Sequence, residues 1–88
     1  MSKKVVVFGS MNMDFSIACD CLPKQGQTIQ GNHLLMSQGG KGANQALAAK
    51  KLKADVKMIG CVGGDNFAQL LINNLKENGI CTKNIYFI

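Results

Sequence analysis

Gly39-Gly40-Lys41-Gly42-Ala43-Asn44 sets three glycines and one lysine directly ahead of an alanine-rich run. Glycines this close together carry an entropy cost, and close approach of backbone to a ligand is the usual reason to bear it. The run that follows reads as a helix, whose first N–H groups are unpaired and partly positive. With Lys41 as a mobile cation beside them, the loop suits a small oxygen-rich or anionic ligand. Upstream, Ser10, Asn12 and Asp14 stand at alternate positions after the apolar run Val5-Val6-Val7-Phe8. An extended backbone sends all three side chains to one side. An amide and a carboxylate facing backbone amides, Lys41 and Asn44 can hold adjacent hydroxyl groups by paired donor and acceptor contacts, which is the pattern a sugar offers. Each cluster taken alone has a plainer reading, a strand-to-helix loop or an Asx turn closing the strand. Both are expected at one sheet edge, because ligands of open α/β sheets sit beyond the carboxyl ends of the strands.

Other chemistries fit less well. Gly40-Lys41 is followed by Gly42 rather than Ser or Thr, with no glycine at the required distance upstream, so the loop is not a Walker A loop. No G-x-G-x-x-G follows Val5 to Phe8. His33 reads as a surface or hydrogen-bonding residue and Asp65 as a helix cap rather than a catalytic acid. Cys19, Cys21, Cys61 and Cys81 form no C-x-x-C pair and no zinc or redox spacing. Cys19-Asp20-Cys21 would point two thiols to one face of a strand. Without a secretion signal the four read as reduced, in a cytosolic setting. A formal charge of +5 comes from ten lysines and no arginine. A nucleic-acid binder using Lys50, Lys51 and Lys53 is one competing class, but arginine and interleaved aromatics are missing, and a solvated helix face explains these lysines better. The apolar run after Met1-Ser2-Lys3-Lys4 is too short for export or membrane insertion.

The elements that must position these residues follow from periodicity. Eighty-eight residues make one small domain, and 47% hydrophobic content with four Phe argues for a packed core. Val5 to Phe8 predicts a central strand buried on both faces of a parallel sheet. Phe15, Ile17, Cys19 and Cys21 alternate with polar residues, the pattern of a strand with one apolar face. Pro23-Lys24-Gln25-Gly26 predicts a turn, and Thr28 to Ser37 a second extended segment with Gly31 as its bulge. Together these form a hairpin-like flap. A helix is expected from about Ala43 to Leu52, a strand from Val56 to Val62, and a second helix capped by Asp65 and Gly79 with Phe67, Leu70, Leu71 and Leu75 on its apolar face. Ile85-Tyr86-Phe87-Ile88 reads as a further strand. The order gives a right-handed β-α-β array of the α/β class, with helices mainly on one side and apolar surface left uncovered.

Gly9-Ser10-Met11-Asn12-Met13-Asp14, Pro23-Lys24-Gln25-Gly26, Gly31-Asn32-His33 and Gly39-Gly40-Lys41-Gly42-Ala43-Asn44-Gln45-Ala46, in that order and spacing, resemble the N-terminal part of the phosphofructokinase B family of carbohydrate and nucleoside kinases. The resemblance covers essentially the whole chain. It implies a Rossmann-like parallel-sheet fold with a small β-sheet lid: one partial domain over 1–88, with the lid at about 15–38, the α/β core at 4–14 and 39–88, and the catalytic and ATP-binding part absent. It implies sugar contacts from Asn12, Asp14, Gly39, Gly40, Lys41, Gly42 and Asn44, with ribose the expected sugar and no catalytic, cofactor or metal residue in this chain. ATP, Mg2+ and K+ would serve the parent ATP-dependent kinase through residues elsewhere, and the 88 residues alone would be inactive. The resemblance further implies a cytoplasmic homodimer joined through the lid, with neither nucleic acid nor membrane as partner. A stand-alone module that binds a small metabolite without chemistry is the alternative. Two positions depart from the family pattern: Gln27 where Glu is common, and Ala68 where its G-x-D-x-x-G segment ends in glycine.

Overall fold

β-Branched runs and small-residue helices sort this chain into two sheets. The computed structural model describes residues 3–88. Its elements are β1 (Lys4–Phe8), β2 (Asn12–Ala18), β3 (Asn32–Gly39), α1 (Lys41–Lys51), β4 (Asp55–Val62), α2 (Asn66–Glu77) and β5 (Cys81–Phe87). β1, β4 and β5 form a parallel sheet in the order β1-β4-β5, and β2 and β3 form a separate antiparallel pair. The α/β class and the small lid sheet are thus as expected.

Register explains the core. Val5 pairs with Val56, Val7 with Met58 and Gly60 with Ile85, so one face of the parallel sheet carries a continuous apolar row. Ala43 and Ala46 of α1 and Leu71, Ile72 and Leu75 of α2 pack onto that face, and Met58, Leu75 and Val56 are its most completely buried large side chains. Alanine at the contact lets α1 lie close to the strands. The opposite face is bare: Val6, Phe8 and Tyr86 are exposed, Phe8 at 83%. Here the expectation for β1 fails. It is an edge strand covered on one face only, because its one ladder is to β4 and both helices lie on the Val7 side. A continuous apolar run records what a strand can bury, not which neighbours are there to bury it.

The helix ends follow the sequence signals. Asp65 Oδ1 accepts from the amides of Phe67 and Ala68, each at 3.0 Å. At the other end Gly79 has φ +80°, its N–H donates to Lys76 O and that of Ile80 to Leu75 O, which closes α2 with a left-handed glycine. Ala68 is buried, so the departure from glycine there is a packing change.

The lid differs from expectation in the bounds of both strands and in its bulge, and β3 runs Asn32–Gly39 rather than from Thr28. β2 begins at Asn12 rather than Phe15 and ends at Ala18, so Cys19 and Cys21 lie beyond the strand, exposed, and do not share a strand face. The chain turns away because Asp20 and Cys21 form a bend and Ala18 is the last residue with a partner, Asn32. The bulge is not at Gly31. Between the pairs Ser16–Leu35 and Ala18–Asn32 the extra residue falls at His33 or Leu34, and His33 takes φ +58°. Gly31 instead makes room for Ile17, whose side chain would lie 2.6 Å from a Cβ at that position. The turn at Pro23–Gly26 is present: the Gln27 amide donates to Lys24 O at 2.9 Å, and Gln27 Oε1 accepts from the Lys24 amide at 2.8 Å. Glutamine supplies the same acceptor oxygen that glutamate would.

Candidate functional site

Three backbone segments cross where β1 ends. A Cβ on Gly42 would stand 2.6 Å from the carbonyl carbon of Gly9 and from the Ser10 nitrogen, and one on Gly60 would stand 2.8 Å from Gly9 O. The first turn of α1 therefore presses directly onto the chain leaving β1, and Ala43 N donates to Ser10 O at 2.9 Å to hold it there. Gly40 precedes the helix with φ +102°, and a Cβ there would meet Ser10 O at 2.7 Å. Both constraints demand glycine, one by conformation and both by space.

Asn12 and Asp14 enter this crossing from β2. Asn12 pairs with Gly39 and Asp14 with Ser37, so Asn12, Asp14, Ser37 and Gly39 share one face of the lid sheet. The Asp14 carboxylate leans into the space that Gly39 leaves, and a Cβ on Gly40 would come within 2.9 Å of Asn12 Oδ1. Asn12 Nδ2 donates to Asp14 Oδ1 at 2.7 Å. Both residues are exposed and lie inside a strand, which rules out the Asx-turn reading.

The helix start completes the arrangement. No side chain caps α1 and no acid stands in its first turn, so its partial positive charge is uncompensated from within the helix, and the anion nearby is Asp14 of β2. Lys41 and Asn44, three apart on the helix, are exposed, while Gly42, Ala43 and Ala46 are buried on the other side. The structure thus gathers Asn12, Asp14, Gly39 and Gly40 by direct approach, and carries Lys41, Gly42 and Asn44 with them on the first turn of α1. An anionic and a cationic side chain, two amides and close-packed glycine backbone are thus brought to the C-terminal end of β1.

Sequence reasoning missed Ser37 and Gly60. Ser37 was hidden because its face depends on a register set across the lid. Gly60 is a lone glycine in a strand, a mark of close backbone approach that could have been read. A cleft lined by Lys4, Val5, Val6, Asp55, Val56, Lys57 and Cys81 lies at the opposite, N-terminal end of the sheet. It is open apolar edge beside β1, away from the polar cluster. Among the described residues no group of three or more His, Cys, Asp or Glu could hold a metal ion, and no helix is long and apolar enough to cross a membrane.

The chain is similar to known proteins over nearly its whole length. The chain is 45% identical over 80 residues to ribokinase of Bacillus subtilis, an alignment spanning 91% of this chain and 27% of that protein. It is 42% identical over 78 residues to deoxyribokinase of Salmonella typhi, spanning 89% of this chain and 26% of that protein. Among solved structures, Arabidopsis thaliana ribokinase complexed with ribose and ATP matches with a TM-score of 0.85 at 32% identity, over 99% of this chain and 28% of that one. The chain spans about a quarter of the length of the relatives it matches. Its fold is ribokinase-like, a parallel α/β sheet with a small antiparallel one beside it. The sequence pattern of the pfkB family carbohydrate kinases extends over residues 2–87, and the chain belongs to that family.

Proposed function

We propose that this chain is the sugar-holding part of an ATP-dependent carbohydrate kinase that phosphorylates ribose. The observation that carries this reading is the Asn12–Asp14 pair, seated over Gly39 and Gly40 beside the uncapped start of α1. Asp14 accepts from two adjacent hydroxyls, and the hydrogen bond from Asn12 fixes the carboxylate for that task. Lys41 and Asn44 donate from the other side, and Gly39, Gly40 and Gly42 permit the sugar to approach the backbone. Holding a hydroxyl in one orientation is a large part of what a phosphotransfer site must do. Asp14 holds hydroxyls in this reading and is not the base.

The chain spans about a quarter of the length of its relatives, and on this reading ATP, Mg2+ and K+ are served by the full-length kinase rather than by these residues alone. The chain alone is then inactive. Four free cysteines suit a reducing cytoplasm. A homodimer through the lid would use the exposed Phe15, Ile17, Leu34 and Met36, although the Phe15 ring already has one contact on α2.

Calorimetric titration of the full-length gene product with ribose and with 2-deoxyribose tests the reading. Asp14→Ala should weaken ribose binding by about 10- to 100-fold, the usual worth of hydrogen bonds to a charged group. Deoxyribose, one hydroxyl poorer, should bind more weakly than ribose and lose less on the same substitution. Ribose affinity unchanged by Asp14→Ala would refute the reading.

A further inference from the structure

We infer that Phe15 and Phe67 are positioning residues, an edge-to-face latch that sets the lid strand β2, and with it Asp14, over the glycine loop. The inference rests on the sugar reading for its consequence but on separate observations for its geometry. The two rings lie 5.5 Å apart between centroids at an interplanar angle of 68°, joining the lid to the parallel-sheet body. That separation and angle belong to the favourable edge-on arrangement, worth more than the area it buries.

The placement of both partners makes this contact a lever. Phe15 directly follows Asp14 in β2, and side chains alternate along a strand, so Phe15 faces α2 while Asp14 faces Gly39. A tilt of β2 that lifts Phe15 from α2 must carry Asp14 with it. Phe67 is itself fixed, because its amide donates to the capping carboxylate of Asp65 at 3.0 Å. Helix α2 touches both lid strands, whereas β2 and β3 make no ladder to the parallel sheet. The lid connects to the body covalently through Met11 and Gly40, and Met13 packs on the core beside the first of these. Farther out, the aromatic pair restrains the strand's angle together with the contact of α2 on β3. Phe15 remains 56% exposed, so removing its ring leaves no large cavity in the core.

The test reads lid mobility and sugar handling separately in the full-length gene product. Phe15→Ala and Phe67→Ala should each speed amide hydrogen exchange across Asn12–Ala18 and Asn32–Gly39 while β1, β4 and β5 exchange as before. Each should raise the ribose KM by roughly 2- to 10-fold, the range of an aromatic pair, with kcat nearly unchanged. The double variant should lose little more than either single one, and Phe15→Tyr should restore the wild-type values. Lid exchange unaltered by Phe15→Ala, or fully additive effects in the double variant, would overturn the latch. Faster lid exchange with an unchanged ribose KM would overturn its positioning role. A wild-type protein that binds no sugar would remove the functional reading, and the exchange data would still decide whether the latch exists.

Discussion

Glycine at two neighbouring positions of this site does different work, and substitution separates the two. A Cβ on Gly39 would run into the Asp14 carboxylate, the movable end of a side chain on the same sheet face. Gly39→Ala should therefore turn Asp14 aside and weaken ribose binding by about 10-fold or more, while folding stability changes by less than about 1 kcal/mol. Gly42 lies inside α1, where alanine ordinarily stabilises a helix by about 0.5–1 kcal/mol. Here the sign reverses, because the added Cβ would stand 2.6 Å from backbone atoms of Gly9 and Ser10, which cannot step aside. Gly42→Ala should cost about 1–3 kcal/mol, read from the urea midpoint. A Gly42→Ala variant as stable as its parent would show that the crossing of α1 over Ser10 is looser than the structure has it. The sequence displayed these glycines together, and their density announced a close approach. It could not say which one faced a side chain and which a main chain, since Gly9 and Gly42 are far apart until the fold joins them.

Helix α2 shows how much of an element can be read from local chemistry. Its cap and its terminating glycine are short-range signals and stand where the residues put them, whereas the buried face is Ala68, Leu71, Ile72 and Leu75, with the expected Leu70 exposed. Asp65→Ala removes an acceptor shared by the amides of Phe67 and Ala68, and should cost about 1 kcal/mol, lowering the Tm of the full-length protein. Asp65→Asn keeps an acceptor and should recover most of that loss. Equal melting temperatures for Asp65→Ala and the parent would exclude the cap as a source of stability. The lid was less legible for a physical reason. Its register is decided between strands, so the alternation of Phe15, Ile17, Cys19 and Cys21 signalled an extended chain without marking where pairing stops. The bulge likewise fell at His33 or Leu34 rather than at the permissive Gly31, which instead admits the Ile17 side chain. β1 misled for the same kind of reason: its four apolar residues are compatible with two covered faces, and only the placement of the helices reveals that one is open.

For the molecule as a whole, surface area sets the terms. The chain exposes 6683 Å², whereas a compact monomer of 9.4 kDa exposes about 5,000 Å². Its radius of gyration, 16.2 Å, likewise exceeds the roughly 12 Å of a compact chain this long. The excess area is about twice what one partner contributes to a standard protein interface. Two surfaces contribute to it: the bare sheet face with Val6, Phe8 and Tyr86, and the lid with Ile17, Leu34, Leu35 and Met36. They differ in what association they permit. The lid can meet its copy about a two-fold axis and stop at a dimer, whereas the bare face adjoins β1, whose outer backbone edge has no partner in the sheet and can recruit chain after chain. The 88 residues expressed alone should therefore sediment at micromolar concentration as a broad, concentration-dependent distribution. Replacing Val6 and Phe8 together by Thr, which retains strand propensity while removing apolar area, should narrow that distribution towards small species. Ile17→Lys should leave it broad. The reverse result, a monomer from Ile17→Lys and no change from the β1 pair, would place the dominant contact in the lid and make the exposed sheet face a tolerated surface.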